Sequence, residues 1–173
     1  MTSKKPGTTL RVATAQLNPV MGDIKGNLTK ARDAWHEAQR HGADIVLFTE
    51  LFVAGYPPED LVLKPAFVEA CEAAVVEFAQ INAAGGPGII IGLPLRRKSG
   101  LHNAVQVIDG GKIIAERFKV DLPNYGEFDE KRVFQPGPMP GPVNFRGIRI
   151  GIPICEDIWG ELGVCETLAE SGA

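Results

Sequence analysis

A cysteine at the end of an apolar run is the first residue whose type and setting could do chemistry. Cys155 follows residues 151–154 (GIPI) and precedes Glu156 and Asp157, after which a helix is predicted. A side chain at a strand-to-helix turn projects from the sheet edge, as in a nucleophile elbow, although the GxSxG sequence is absent. Nearby N–H groups and a cation would lower the pKa of the thiol and populate the thiolate. The alternative is a small buried core residue, which is a common place for a free cysteine.

Two charged residues also stand at the ends of predicted strands. Glu50 follows the apolar residues 45–48 (IVLF), at the carboxyl end where open α/β sheets place their sites. Partial burial would raise its pKa and suit it to general-base catalysis. Lys119 closes another predicted strand, and an ammonium directed into a pocket can favour a thiolate and stabilise an oxyanion. Taken singly, each is better explained as a solvated strand-end residue.

The joint pattern favours one shared site, because a Glu, a Lys and a Cys each end a separate apolar strand. The three histidines are scattered, so they form no Ser-His-Asp arrangement and are interpreted as surface or cap residues; they are His36, His41 and His102. No GxxxxGK[ST] or GxGxxG run is present to bind a nucleotide. The spacing of the three cysteines suits no metal site, so no metal is predicted, and Cys71 and Cys165 are interpreted as core.

The elements that must position these residues alternate between strands and helices. The predicted strands are residues 10–16, 45–48, 88–93, 103–108, 112–118, 143–145 and 148–154. The predicted helices are one N-capped by Asn27 and ended by Gly42, one over about 65–80, and one over 162–169. Asp109-Gly110-Gly111 is a strong hairpin signal between the fourth and fifth strands. This order predicts an α/β layered domain with mixed sheets over residues 10–173, preceded by a flexible tail, residues 1–9.

Composition places the chain among ordinary globular proteins. It has 173 residues, 45% of them hydrophobic and 23% charged, with a net charge of −3. Mixed charges argue against a nucleic-acid surface, and the one basic run, residues 96–98 (RRK), is predicted to be a solvated loop. No run approaches the roughly 20 apolar residues of a membrane span. The odd cysteine count without a CxxC motif favours a reduced, cytoplasmic location.

The order of these motifs resembles the nitrilase (carbon–nitrogen hydrolase) superfamily, whose members use a Glu–Lys–Cys triad in an αββα sandwich. The similarity runs from residue 10 to the end of the chain. It is carried by residues 15–18 (AQLN), Glu50, Lys119 before 122–126 (LPNYG), and Cys155 within 154–157 (ICED). The resemblance implies a nitrilase-type αββα sandwich, incomplete at the C-terminus, with Glu50, Lys119 and Cys155 as catalytic residues.

Within the superfamily, the chain most resembles the glutaminase domain of glutamine-dependent NAD synthetases. The further similarities are Asn103-Ala104, residues 128–130 (FDE) and residues 155–159 (CEDIW). The resemblance implies that ammonia is released from glutamine through a Cys thioester, for ATP-dependent amidation of deamido-NAD. It also implies that Tyr125 contacts glutamine, that Glu127 is a second pocket acid positioning the substrate amide, and that the N–H of Glu156 stabilises the oxyanion.

The same resemblance implies partners outside this chain. The family's domain extends well past the cysteine, and an ATP-using domain follows, whereas residues 156–173 are all that follow Cys155 here. The chain is therefore expected to be a truncated piece of a longer protein. ATP and Mg would belong to the missing synthetase domain, with no cofactor in this piece, and the full-length protein would be a homo-oligomer.

Two alternatives stay open. The chain could belong to a stand-alone amidase or carbamoylase acting on another small amide, or it could be an inactive piece that folds only with a partner. A PP-loop-type ATP-binding domain downstream would favour the synthetase. Aggregation of the isolated chain would favour the second alternative, because an incomplete sandwich exposes sheet edges and apolar faces.

Overall fold

The computed structural model describes residues 9–173, so the predicted tail lies, except for Thr9, outside the described residues. The seven strands are β1 (Val12–Ala15), β2 (Ile45–Phe48), β3 (Gly88–Arg97), β4 (Gly100–Asp109), β5 (Lys112–Phe118), β6 (Val143–Phe145) and β7 (Ile148–Ile150). The α-helices are α1 (Ile24–Arg40), α2 (Pro65–Phe78) and α3 (Val164–Glu170). Short 3₁₀ turns span Glu59–Leu63, Ala79–Asn82, Glu130–Arg132 and Cys155–Ile158.

A five-stranded sheet in the order β1-β2-β3-β4-β5 forms the centre of the fold. The first three strands are parallel, because helices cross between them, and β3, β4 and β5 are antiparallel. Helices α1 and α2 cover one face, where Trp35, Cys71 and Phe78 are buried. The β6–β7 hairpin covers the other face through Val143 and Phe145. The predicted α/β layered arrangement with mixed strands is confirmed.

Several element boundaries depart from the predictions, and β3 and β4 are both longer than predicted. Helix α1 begins one turn earlier than predicted, since Asp23 caps it by accepting a hydrogen bond from the N–H of Gly26 (2.9 Å). Asn27 instead lies buried inside the helix, where it binds the backbone of Val20 and Val53, so its prediction as N-cap was wrong. Strand β7 ends at Ile150, and the residues leading to Cys155 form no strand.

The basic run and one histidine are also placed differently from the prediction. Arg97 ends β3 and forms ion pairs with Glu72 (2.7 Å) and Glu116 (2.5 Å), because α2 and β5 bring one acid each to its guanidinium. It is therefore not part of a solvated loop. His102 is buried, with its ring nitrogens on the Ser99 hydroxyl and a backbone carbonyl, and not a surface residue.

Two cysteines were predicted to be core residues. Cys71 is buried, which confirms the prediction, and burial raises its pKa to about 12. Cys165 is only half-buried, beside the buried Val164 and Leu168 of α3. Within residues 9–173, no helix combines the length and the apolar character needed to cross a membrane.

Candidate active site

The structure brings two of the predicted catalytic residues, Lys119 and Glu50, into direct contact. Lys119 follows β5, and its backbone N–H donates to the carbonyl of Asn103 on β4 (2.8 Å). Its side chain is fully buried and its Nζ donates to Glu50 Oε1 (2.7 Å) and to Glu130 Oε1 (2.8 Å). Burial works to lower the pKa of Lys119, but the two carboxylates outweigh burial and raise it. The amine of Lys119 is therefore a charged ammonium, held between the carboxylates of Glu50 and Glu130.

A close approach between strands fixes the position of Glu50. Glu50 follows β2 and is succeeded by Leu51, whose φ of 49° lies in the left-handed region. The turn packs against Gly92 on β3, where a Cβ would lie 2.4 Å from the backbone N of Leu51 and 2.9 Å from the carbonyl carbon of Glu50. Only a residue without a side chain allows this approach. Gly92 therefore sets how close the carboxylate lies to the sheet.

Glu130 is the functional residue that the sequence interpretation missed. It is buried at the start of a 3₁₀ turn, where Oε1 accepts from Lys119 and from the Tyr56 hydroxyl (3.3 Å). Burial raises the pKa of Glu130, whereas the hydrogen bond from Lys119 opposes that rise. The available signal was spacing, because Glu130 precedes the apolar Val133 and Phe134 by three and four residues and so faces inward with them.

Glu127, predicted as the second pocket acid, does not occupy that position. Its side chain is exposed, and among the described residues its carboxylate has no hydrogen-bond partner. It lines a cavity of about 340 Å³ together with Tyr56 and the buried Glu130. Two residues lie between the two acids, and the turn at Glu130 determines which of them points inward. The inner placement expected of Glu127 therefore has to be corrected to Glu130.

Asn103 joins the two carboxylates. Its Nδ2 donates to Glu50 Oε1 (2.6 Å) and to Glu130 Oε2 (3.3 Å). Its Oδ1 is buried and has no hydrogen-bond partner within residues 9–173. Because Asn103 and Lys119 use the same oxygen of Glu50, the other carboxylate oxygen is left for a proton. In contrast, both oxygens of Glu130 are engaged, which suits Glu130 to hold Lys119 and Glu50 to exchange protons.

Cys155 lies at the sharp turn that its sequence predicted. It opens the Cys155–Ile158 turn with a φ of 50°, an uncommon conformation for a residue other than glycine. Burial and the Glu50 carboxylate raise the pKa of the thiol to about 11, although the Lys119 ammonium opposes the shift. The prediction of a populated thiolate is wrong for this reason. The thiol is protonated near neutral pH, and a base must remove its proton as it reacts.

The predicted binding residues Tyr125 and Glu156 meet on the outer side of Cys155. The Tyr125 hydroxyl donates to both carboxylate oxygens of Glu156 (3.0 and 2.9 Å), and Trp159 Nε1 donates to one of them (2.9 Å). Both aromatic rings are largely exposed. The hydrogen bond to Glu156 raises the pKa of Tyr125. Among the described residues, no three His, Cys, Asp or Glu side chains are arranged to hold a metal ion.

The candidate site combines a buried cation on two carboxylates with a cysteine at a strained turn, an arrangement that suits thiol attack on an amide. The family model described as "Carbon-nitrogen hydrolase" matches residues 11–172, and the chain belongs to this family. It is 43% identical over 150 residues to a glutamine-dependent NAD(+) synthetase of Thermotoga maritima. That alignment covers 87% of this chain and 26% of the relative, so the chain spans about a quarter of that protein.

Solved structures support the same fold. A glutamine-dependent NAD+ synthetase from Acinetobacter baumannii, in complex with ADP, matches with a TM-score of 0.86 and 33% identity, over 93% of this chain and 30% of that one. A variant of an amidase from Nesterenkonia sp. AN1 matches with a TM-score of 0.68 and 26% identity, over 82% of this chain and 55% of that one. That structure shows acrylamide added at the active-site cysteine. The fold is thus the predicted nitrilase type.

Proposed function

We propose that this chain is the glutamine amidohydrolase part of a glutamine-dependent NAD(+) synthetase. The observation that carries the proposal is the buried ammonium of Lys119 on Glu50 and Glu130, beside Cys155. A cation and a base beside a thiol suit attack on an amide carbonyl, since the oxyanion that forms needs a positive partner. Similarity to the Thermotoga and Acinetobacter synthetases supports glutamine as the amide.

The reaction starts from the neutral thiol. Glu50 accepts the proton from Cys155 while the sulfur attacks the side-chain amide carbon of glutamine. The Lys119 ammonium and the backbone N–H of Glu156 donate to the oxyanion, and a well-placed donor of this kind supplies roughly 3 kcal/mol. Glu50 then returns the proton to the departing nitrogen, so that ammonia leaves and a thioester remains.

Hydrolysis of the thioester restores the enzyme. Glu50 removes a proton from water, which attacks the thioester carbon, and the same oxyanion donors act a second time. Glutamate leaves as Cys155 regains its proton. Glu130 takes no proton in this scheme, because its oxygens are occupied by Lys119, Tyr56 and Asn103.

Ammonia release would serve a second reaction outside this chain. We propose that the ammonia amidates deamido-NAD in an ATP- and Mg-dependent synthetase domain, and that the full-length protein is a homo-oligomer. The support is that synthetase relatives are three to four times as long as the stretch they share with this chain. Tyr125, and Glu127 at the cavity wall, would then contact glutamine.

A stand-alone amidase for another small amide is the second candidate. The similarity to the Nesterenkonia amidase favours it, and that amidase is itself less than twice as long as the stretch it shares with this chain. The two candidates differ in the substrate that protects Cys155. The synthetase part should be protected by glutamine, whereas an amidase of this second kind should be protected by a simple amide such as acetamide.

Mass spectrometry after treatment with 6-diazo-5-oxonorleucine, a glutamine-like electrophile, tests the proposal. We expect one adduct, on Cys155, and we expect glutamine to suppress it while acetamide does not. Cys155→Ala is the control and should leave Cys71 and Cys165 unmodified. Equal labelling in the presence and absence of glutamine, on a folded sample, would overturn the assignment of glutamine.

A further inference from the structure

A buried carboxylate that takes no part in the mechanism lies between the cysteine and the lysine. Asp157 is 2% exposed and lies in the 3₁₀ turn that begins at Cys155. Its Oδ1 accepts from the backbone N–H groups of Val120 (3.0 Å) and Asp121 (2.8 Å), and its Oδ2 accepts from the N–H of Ile154 (2.9 Å).

Each of the three donors lies within two positions of a residue of the proposed triad. Val120 and Asp121 directly follow Lys119, and Ile154 directly precedes Cys155. Thirty-five positions separate Lys119 from Ile154 along the chain, and Asp157 spans this separation through one side chain. The other hydrogen bonds of Lys119 connect its backbone to Asn103 and Gly137 and its ammonium to Glu50 and Glu130, and none of these residues belongs to the cysteine turn.

A carboxylate is the side chain that this position requires. All three groups that face the Asp157 side chain are N–H donors. They are satisfied only by a side chain that offers two acceptor oxygens. Burial raises the pKa of Asp157, while the three N–H donors oppose the rise. An asparagine of the same shape would direct an NH₂ at one of the three donors. The segment that carries this donor, either after Lys119 or before Cys155, would then no longer be held.

We infer that Asp157 is a positioning residue, which holds the Cys155 turn at a fixed distance from Lys119. Its carboxylate oxygens accept from these three backbone N–H groups, so it acts through the backbone on each side. The inference rests on the proposed function for the roles of Cys155 and Lys119. It goes beyond that function by assigning a role to a residue outside the triad.

The test compares two labelling rates of Cys155, by 6-diazo-5-oxonorleucine and by iodoacetamide, between the wild-type chain and Asp157→Asn. Release of the turn from its buried setting and from Glu50, like loss of the Asp157 charge, would lower the pKa of the thiol and would not slow iodoacetamide. Reaction with the glutamine-like electrophile needs Cys155 held against Lys119, so we expect it to slow by about tenfold or more. A 6-diazo-5-oxonorleucine rate that is unchanged, or that rises together with the iodoacetamide rate, would overturn the inference.

Asn82→Ala is the matched control. Asn82 is also fully buried and also joins two loops, since it accepts from the N–H of Gly111 (2.7 Å) and donates to the carbonyl of Pro87 (3.2 Å). It lies away from the proposed site. We expect it to lower the free energy of unfolding while leaving both labelling rates as in the wild type. A loss of 6-diazo-5-oxonorleucine labelling equal to that of Asp157→Asn would show that general loosening is sufficient and would overturn a specific role.

Hydrogen exchange on the wild-type chain gives a second test if Asp157→Asn does not fold. The N–H groups of Val120, Asp121 and Ile154 should exchange slowly and lose protection together, because one carboxylate holds all three. Fast exchange at Ile154 with protection at Val120 would overturn the inference. Neither test needs glutamine turnover, so failure of the proposed function, seen as absent glutamine protection, is distinguishable from failure of this inference.

Discussion

The two halves of the proposed site are built differently. The inner half consists of Lys119, Glu130 and Asn103, which are at most 5% exposed. Lys119 and Asn103 donate short hydrogen bonds to Glu50, and Lys119 also donates to Glu130. Asn103 and Lys119 stand in or directly after long strands of the central sheet. In the outer half, by contrast, Trp159 is 65% exposed on a short 3₁₀ turn.

This difference assigns proton transfer to the inner half of the site and contact with the substrate to the outer half. Charges that must keep fixed protonation states are removed from water and supported by the sheet, where a lost partner has no solvent to replace it. Groups that meet the substrate are reachable from solvent. Changes in the inner half should therefore reduce both stability and reactivity, whereas changes in the outer half should affect binding alone.

The largest expected effect is that of Lys119→Met. Loss of the ammonium leaves Glu50 and Glu130 facing each other, partly or wholly buried, without a cation. We expect the free energy of unfolding to fall by about 3–5 kcal/mol, measured by urea denaturation. Lys112→Met, at the exposed start of the same strand, is the control and should change the value by less than about 0.5 kcal/mol. Equal effects would contradict a structural role for the buried pair.

Glu130→Gln should have the next largest effect, and Glu127→Gln is the variant with which it is compared. Replacing one carboxylate oxygen of Glu130 by NH₂ removes an acceptor from Lys119, Tyr56 or Asn103. We expect a loss of about 1–3 kcal/mol in the free energy of unfolding and slower labelling of Cys155 by 6-diazo-5-oxonorleucine. The exposed Glu127 should tolerate the same change with no loss of stability. A larger loss from Glu127→Gln than from Glu130→Gln would return the role of second acid to Glu127.

Glu50→Gln should have effects of opposite sign on two reactions. The Glu50 carboxylate raises the pKa of Cys155, so its removal lowers that pKa and should speed alkylation by iodoacetamide at pH 8, by up to about tenfold. Glutamine-dependent chemistry should be lost, because the base is gone. In the wild type, alkylation should keep rising from pH 8 toward pH 11. A wild-type alkylation rate that levels off by pH 7 would contradict a thiol that is neutral at rest. Glu59→Gln, at an exposed position, is the control for Glu50→Gln and should leave the alkylation rate unchanged.

Tyr125→Phe should have the smallest effect. The hydroxyl donates to Glu156 at the surface, so its loss should change the free energy of unfolding by less than about 0.5 kcal/mol. Protection of Cys155 by glutamine should nevertheless require a few-fold higher glutamine concentration, measured by adduct formation. Unchanged protection would remove Tyr125 from the binding residues.

Sequence alone predicted the features that depend on local pattern. The β4–β5 hairpin follows from Asp109-Gly110-Gly111, and burial of Cys71 follows from helical spacing. What it missed depends on contacts between distant segments. The choice of Glu130 over Glu127 depends on one turn packed under Phe134, and the raised pKa of Cys155 depends on a carboxylate more than a hundred positions earlier in the chain.

The close approach at Gly92 makes the proposed base depend on a residue that has no functional group. A single added methyl there would meet the backbone on both sides of Glu50, so it would displace the carboxylate before it disturbed any other charged group. Gly92→Ala could therefore silence the site while every residue of the proposed machinery remained in the sequence. A search of related sequences for the catalytic side chains alone would therefore not detect the loss of activity caused by a substitution at position 92.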